Sequence, residues 1–287
     1  AEELGMDPDS ISVLYQDTDA GPFDIGSAGS QTTFNNGRAV IEAAREVRDK
    51  LLDLAADRLE IDRSDLELVE GHVRAKGAPT RSVPFAELAA GAQLIGSGSG
   101  DPPPLPEHDL GGCRGRLGYS AFAAPSFFCH AARVRVDRET GVVTVPRVVA
   151  VHEFGRVLNP LGGQGQVEGG VIQAVGMALL EGSRYADGHQ LNPGLLGYKL
   201  VTAPDAPAVT VEFLDDPVDQ GGPHGGKAVG EPPVVGTAAA IGNAIAAATG
   251  HRLRALPMSP ERVWTALQTT EPGTEAGTEA GTVGGRP

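Results

Sequence analysis

Apolar positions along this chain follow two rhythms. Between Asn36 and about Leu59, residues Val40, Ala43, Val47, Leu51 and Leu54 recur every three or four positions, which predicts a long helix with one apolar face. The same spacing links Val234, Val235, Ala238, Ile241, Ile245 and Ala248, and Gly250 supplies a stop. A third helix is predicted to run to about Leu180, with Val167, Val171, Val175 and Ala178 facing a core. Shorter stretches read as strands: Ile11–Leu14, a hairpin over Asp62–Val73 that turns at Glu70-Gly71, and Val209–Leu214. Ser126–Val136 and Val142–His152 are predicted as a pair of strands joined by Asp137–Gly141. Short helices are expected at Ala1–Gly5 and over Phe85–Gly91, the latter capped by Ser82. Together these elements predict an α+β fold, with mixed sheets covered by long helices, spanning residues 1–268 as one large domain or two lobes. The tail 269–287 repeats Gly-Thr-Glu-Ala, has little apolar content to fold with, and is expected to be disordered.

Composition narrows the function classes. The 287 residues are 40% hydrophobic and 5% aromatic, enough for a substantial core, and no run is long and apolar enough to predict a membrane span. A net charge of −14 argues against nucleic-acid binding, which needs Lys and Arg to neutralise phosphates. Forty glycines and 22 prolines predict many tight turns and long ordered loops. The two cysteines, Cys113 and Cys129, cannot assemble an iron–sulfur cluster or a closed zinc site, and both read as buried free thiols. Asp17, Asp19 and Asp24 do not make a calcium loop, because Ala28 stands where its closing Glu would be. His130 and His152 fall on predicted strands without a partner at metal-ligand spacing and read as structural histidines. Neither serine of Gly96-Ser-Gly-Ser-Gly100 has the flanking pattern of a hydrolase nucleophile, and no Ser/His/Asp arrangement is visible.

The segment with most chemical content is Lys227-Ala-Val-Gly-Glu-Pro-Pro233. It sets one carboxylate, Glu231, between a glycine-rich approach and a helix opened by two prolines. Free N–H groups and the macrodipole at such a terminus favour an ionised carboxylate, which suits a helix cap and a general base alike. Two further segments stand out. Gly26-Ser-Ala-Gly-Ser-Gln-Thr-Thr33 is a run of small and hydroxyl residues just before the first long helix. It is either an ordinary loop or a surface whose N–H groups and hydroxyls hold a polar ligand. Val151–Pro160 reads as a strand and an Asn-Pro turn, followed by Gly162-Gly-Gln-Gly-Gln-Val-Glu-Gly-Gly170. In that run Gly169, Gly170 and Gly176 are expected to permit close helix packing, and Glu168 to serve as a first-turn acid.

In this order and at these separations the three segments resemble the molybdenum hydroxylases, the family of xanthine dehydrogenase, aldehyde oxidase and carbon monoxide dehydrogenase. The resemblance runs over about residues 1–268 and corresponds to the later part of the family's molybdenum-binding subunit. It implies the C-terminal portion of a molybdenum-cofactor-binding domain, with Glu231 as general base beside the metal. It also implies that Gly29, Ser30, Gln31, Thr32, Thr33 and Gln166 contact the molybdopterin, with or without an appended cytosine nucleotide. The metal would be bound by the cofactor's own sulfurs, so no protein side chain is expected as a ligand. The implied reaction is hydroxylation of an aldehyde or N-heterocycle with water as oxygen source. Electrons would pass to iron–sulfur and FAD centres in partner subunits.

The chain opens at Ala1, and the family's earlier half is absent from it. A fragment or one piece of a split subunit is therefore expected, active only with the missing N-terminal half and its partners in the cytoplasm. The competing reading is a non-catalytic subunit that holds or assembles the cofactor. Truncation favours it, whereas an intact Gly-Glu-Pro-Pro opposes it, because a retired site has no chemical need of Glu231.

Overall fold

The computed structural model describes residues 1–14, 17–19, 21–24, 26–91, 93–100, 124–214 and 222–269. Cys113, the Pro102–Pro104 stretch and the tail from 270 onward lie outside the described residues. The chain divides into two compact units, one formed by Ala1–Ala124 with Asp219–Lys227, the other by Pro125–Val218 with Ala228–Pro287.

The first unit is organised by helix α1, Thr32–Leu59, which packs on the antiparallel sheet β1 (Leu66–Val69), β2 (His72–Ala75) and β3 (Ala78–Pro84). The hairpin between β1 and β2 turns at Glu70 and Gly71, both with positive φ (50° and 75°), the geometry of a two-residue turn that matches strand twist. Leu51 and Ala55 of α1 are buried with Leu66, Val73 and Ala75 of the sheet. Val40 and Leu54, expected on the apolar face, are exposed (66% and 39%): Val40 precedes the part of α1 that covers the sheet, and Leu54 sits beside the buried face formed by Leu51 and Ala55. Helix α1 starts four residues earlier than its apolar rhythm, so Thr32 and Thr33 belong to its first turn. The expected strand at Ile11–Leu14 is absent, and Ser82 lies within β3, paired with Arg74, rather than capping the short helix α2 (Phe85–Leu88).

A feature with no apolar rhythm is the Gly96-Ser-Gly-Ser-Gly100 stretch, which runs along α1. A Cβ at Gly96 or Gly98 would overlap the carbonyl oxygen of Ala43 or Ala39, and one at Gly100 would lie 2.8 Å from that of Asn35. The intervening Ser97 and Ser99 donate their N–H groups to Glu46 (3.0 Å) and Glu42 (2.9 Å), one turn apart on α1. Glycine alternation thus lets an extended segment lie on helix backbone, and the glutamates satisfy its exposed amides.

The second unit is built on a sheet of order β4-β5-β8: β4 (Phe127–Val136), β5 (Val143–Glu153) and β8 (Ala208–Phe213). The first two are antiparallel, and β5 and β8 are parallel. A parallel pair needs a long crossover, and α3 (Pro160–Leu179) with the small hairpin β6 (Tyr185–Ala186) and β7 (His189–Gln190) lies in it. Helix α4 (Pro232–Thr249) packs on β4 and α3, and α5 (Pro260–Leu267) closes the core. Val148 and Ala150 of β5, Val167, Val171 and Ala178 of α3, and Ile241 and Ile245 of α4 are essentially inaccessible. Each large aliphatic side chain so buried stabilises the unit by about 1.5–3 kcal/mol. The four residues expected as the core face of α3 are all buried.

Candidate functional site

Helix α4 ends as the sequence predicts, with Gly250 left-handed (φ 82°). It also starts where the sequence predicts, at Pro232 with Glu231 before it, but in a form that matters for Glu231. Glu231 is the N-cap residue, exposed, but its carboxylate makes no capping bond to the helix. The reason is chemical. A cap accepts from the N–H groups two and three positions on. Pro233 has none, and the N–H of Val234 is held by the carbonyl of Glu231 itself at 3.0 Å. Pro233 therefore removes one of the two donors that a helix-capping carboxylate would use, and the backbone takes the other.

Helix α3 brings Gln166 to the same end of the second unit. Its N-cap, Asn159, accepts from Gly162 N–H at 2.9 Å, and Pro160 opens the first turn. Gly163 seats that turn against Phe154 and Phe213, at the ends of β5 and β8. The first turn of α4 seats on Phe128, whose β4 position pairs with His152 near the end of β5. Farther along, Met258 donates its N–H to the carbonyl of Ala178 on α3 and touches the Gly242 position of α4. The two helices thus run the same way, with both N-termini beyond the C-terminal ends of the parallel strands. Gly170 meets Pro233 where they cross: a Cβ there would lie 2.6 Å from that of Pro233. Gln166 is one turn and Glu231 two residues N-terminal to this crossing, about 6 Å and 3 Å of helix rise.

The surface of α3 around Gln166 is almost bare. Gly165 and Gly169 have no heavy atom within 4 Å of where a Cβ would be. Gly169 therefore does not serve helix packing as expected, whereas Gly170 and Gly176 do. Mid-helix glycine is unfavourable by about 0.5–1 kcal/mol relative to alanine, and among the described residues no close contact offsets this at Gly165 and Gly169. Glu168 also departs from its expected role. It sits two turns into α3 and accepts from Gln164 at 2.7 Å, so it does not complete the helix dipole.

In the first unit, Gly29 and Ser30 both have positive φ (61° and 59°) and turn the chain into α1. Gln31, the N-cap, makes no side-chain capping bond, so the first N–H groups of α1 keep no side-chain acceptor from their own cap. Gly29, Gln31, Thr32 and Thr33 are exposed, and Thr32 donates to Ser27 Oγ at 2.7 Å. Asn36 bonds Asp24 at 3.0 Å and ties the preceding loop to the helix. The six residues proposed to contact the cofactor thus fall into two groups: Gly29–Thr33 in the first unit, and Gln166, with Glu231, in the second.

Residues 1–207 match the sequence profile of the molybdopterin cofactor-binding domain. The chain belongs to the molybdenum hydroxylase family. It is 32% identical over 276 residues to the xanthine dehydrogenase molybdenum-binding subunit of Escherichia coli O157:H7, covering 92% of this chain and 34% of that relative. It is 31% identical over 251 residues to the carbon monoxide dehydrogenase large chain of Afipia carboxidovorans, covering 85% and 29%. The fold superposes on quinoline 2-oxidoreductase from Pseudomonas putida 86 with a TM-score of 0.79 at 27% identity, over 93% of this chain and 34% of that one. The chain therefore spans about a third of the length of the molybdenum hydroxylase subunits it matches. The α+β fold with mixed sheets under long helices is that of these subunits.

Behind Glu231 lies a polar network that sequence reading did not connect. His130 and His152 are hydrogen-bonded within the structure, as expected, and to each other: their Nε2 atoms lie 2.8 Å apart, and His130 Nδ1 lies 2.8 Å from Thr237 Oγ1 on α4. His152 is 1% exposed and Thr237 fully buried. Burial, and then the neighbouring His130, push the pKa of His152 down to about 4, and burial lowers that of His130. The two lie on the same sheet face, two residues apart in register, a relation set by strand pairing and invisible to spacing along the chain. Cys129, between Phe128 and His130, points to the other face and is exposed, contrary to the buried thiol expected.

The depressed histidine makes acid destabilising. Its folded pKa of about 4 lies below the ordinary value of 6.5, so the unfolded chain binds more protons between these values. Stability is expected to fall as pH drops from 6.5 towards 4, by at most about 3 kcal/mol, and to level off below as far as this group is concerned. Asp62 and Asp137, lowered chiefly by hydrogen bonds from Ser64 and Glu139, act with the same sign but only below the carboxylate range. Denaturant unfolding at pH 4.5–6.5 reports this buried histidine pair, to which His130 contributes with the same sign, and a slope that survives unchanged in His152→Gln would contradict the assignment to His152.

Among the described residues no helix is long and apolar enough to cross a membrane, and no three His, Cys, Asp or Glu side chains converge to hold a metal ion. A cavity of about 350 Å³ in the second unit, lined by Val145, Leu179, Asp205 and Met258, opens at the opposite end of the sheet from Glu231.

Proposed function

We propose that this chain supplies the base and part of the cofactor wall of a cytoplasmic molybdenum hydroxylase. Its reaction replaces a C–H of an aldehyde or N-heterocycle by C–OH, takes the oxygen from water, and releases two electrons and two protons. The electrons pass to iron–sulfur and flavin partner subunits. The observation that carries this reading is Glu231: an exposed carboxylate at a helix start that makes no capping bond to its own helix.

The residues present fit the molybdopterin. The exposed start of α1, which has no side-chain cap, hydroxyls at Thr32 and Thr33, and the Gln166 amide between Gly165 and Gly169 offer hydrogen bonds with little bulk. The acidic chain would hold an anionic phosphate through such N–H groups rather than through net charge. The molybdopterin, with or without a cytosine nucleotide, supplies when bound a redox-active metal that accepts the two electrons. Gly29–Thr33 hold its pterin, Gln166 donates to it, and Glu231 takes up a proton at a carboxylate oxygen.

Co-expression of this chain with the remaining two-thirds of a family subunit and its iron–sulfur and flavin partners tests the proposal. Molybdenum content and dye-linked oxidation of aldehydes or N-heterocycles are expected to appear only in the full complex. A fully molybdenum-loaded complex without turnover on either class would favour a cofactor-holding role.

A further inference from the structure

We propose that His130 and Thr237, backed by His152, are positioning residues that fix the first turn of α4 and with it the Glu231 carboxylate. The inference rests on the reading of Glu231 as base. Thr237 lies one turn after Pro233, and its hydroxyl reaches the Pro233 carbonyl at 3.3 Å as well as His130 Nδ1 at 2.8 Å. A carbonyl only accepts, so a hydroxyl that donates to Pro233 must accept from His130 Nδ1–H. His130 then has a bare Nε2, which accepts from His152 Nε2–H. The result is one directed chain, His152 to His130 to Thr237 to Pro233, joining β5, β4 and α4. Gly236 lets this turn sit directly on the rings: a Cβ there would lie 2.8 Å from Phe128 and 3.3 Å from His130.

The chain acts on the one stretch of helix that holds itself poorly. Pro232 and Pro233 contribute no N–H, so the first turn of α4 makes fewer of its own bonds than an ordinary helix start, Val234 N–H to Glu231 O among them. The histidine–threonine chain supplies from the sheet side the orientation that the missing helix bonds cannot. Burial keeps both imidazoles neutral, and a neutral ring keeps one donor and one acceptor, which the directed chain requires.

The test compares Thr237→Val, which keeps shape and removes the hydroxyl, with Thr237→Ser, which keeps it. In the full chain, imidazole ¹⁵N spectra should show His130 protonated on Nδ1, and His130 protonated on Nε2 would overturn the directed chain. Amide exchange at Val234 should quicken at least tenfold in Thr237→Val and stay normal in Thr237→Ser. Unchanged exchange in Thr237→Val would overturn the anchoring. In the reconstituted complex, Thr237→Val should lower kcat about tenfold with KM unchanged, and Thr237→Ser should restore it. Normal kcat in Thr237→Val, where Glu231→Gln is inactive, would overturn the positioning role. Full activity in Glu231→Gln would instead remove the base assignment, while the Val234 exchange still decides whether the turn is anchored.

Discussion

Glu231→Gln in the reconstituted complex is expected to lower kcat about 10²–10⁴-fold, the usual cost of losing a general base. Molybdenum content and thermal stability should stay near those of the parent. Glutamine keeps the size and accepting oxygen of glutamate but cannot take the proton. The structure sharpens the expectation, because Glu231 makes no capping bond that its replacement would break. A capping role would give the opposite pattern, with about 1 kcal/mol lost in stability and turnover intact. Steady-state kinetics on metal-matched samples separates the two, and near-normal kcat in a fully loaded variant would end the catalytic assignment. Glu168→Gln serves as control: it alters one exposed bond to Gln164 and should move neither quantity much.

Gly170→Ala and Gly169→Ala, neighbours on α3, are expected to move stability in opposite directions. At Gly170 a methyl would press on the ring of Pro233 and lie 3.3 Å from Val234 N, rigid atoms that cannot turn aside. Overpacking of this kind costs about 1–3 kcal/mol, reduced by the roughly 1 kcal/mol that alanine gains in a helix. At Gly169 the space is open, and alanine should stabilise by about 0.5–1 kcal/mol. Gly165→Ala should behave like Gly169→Ala. Denaturant midpoints at constant m-value report these changes. Because Gly170 bears on the start of α4, Gly170→Ala should also reduce turnover of the complex by displacing Glu231. Equal stability of the Gly170 and Gly169 variants would show that the crossing is not tightly packed. Gly169→Ala is expected to weaken molybdopterin retention even as it stabilises the chain, the mark of a glycine kept for a ligand.

Much of the fold follows from local chemistry, which acts over a few residues and is therefore written in order along the chain. The 3.6-residue rhythm of Val167, Val171, Val175 and Ala178 specifies a buried helix face, and the Glu70-Gly71 pair specifies a hairpin turn. Gly250 ends α4 because a left-handed residue there needs no Cβ. The family, too, was legible, since its three segments carry residue types whose order survives in sequence. Part of the reason Glu231 makes no capping bond was also written in the sequence, since Pro233 lacks one of the two N–H groups a cap would use.

Contacts between distant elements were decided only by tertiary structure. Val40 is a good apolar position with no sheet beneath it, so it stays exposed. Gly169 and Gly170 look identical in sequence, yet one faces open space and the other Pro233, because the crossing point of α3 and α4 is set by the whole core. His130 and His152 stand 22 residues apart and become partners through the register of β4 and β5. Thr237, which bonds His130, lies 107 residues from it in sequence. Periodicity reports which face of an element is buried. What that face meets depends on sheet order and helix crossing, which no local pattern contains.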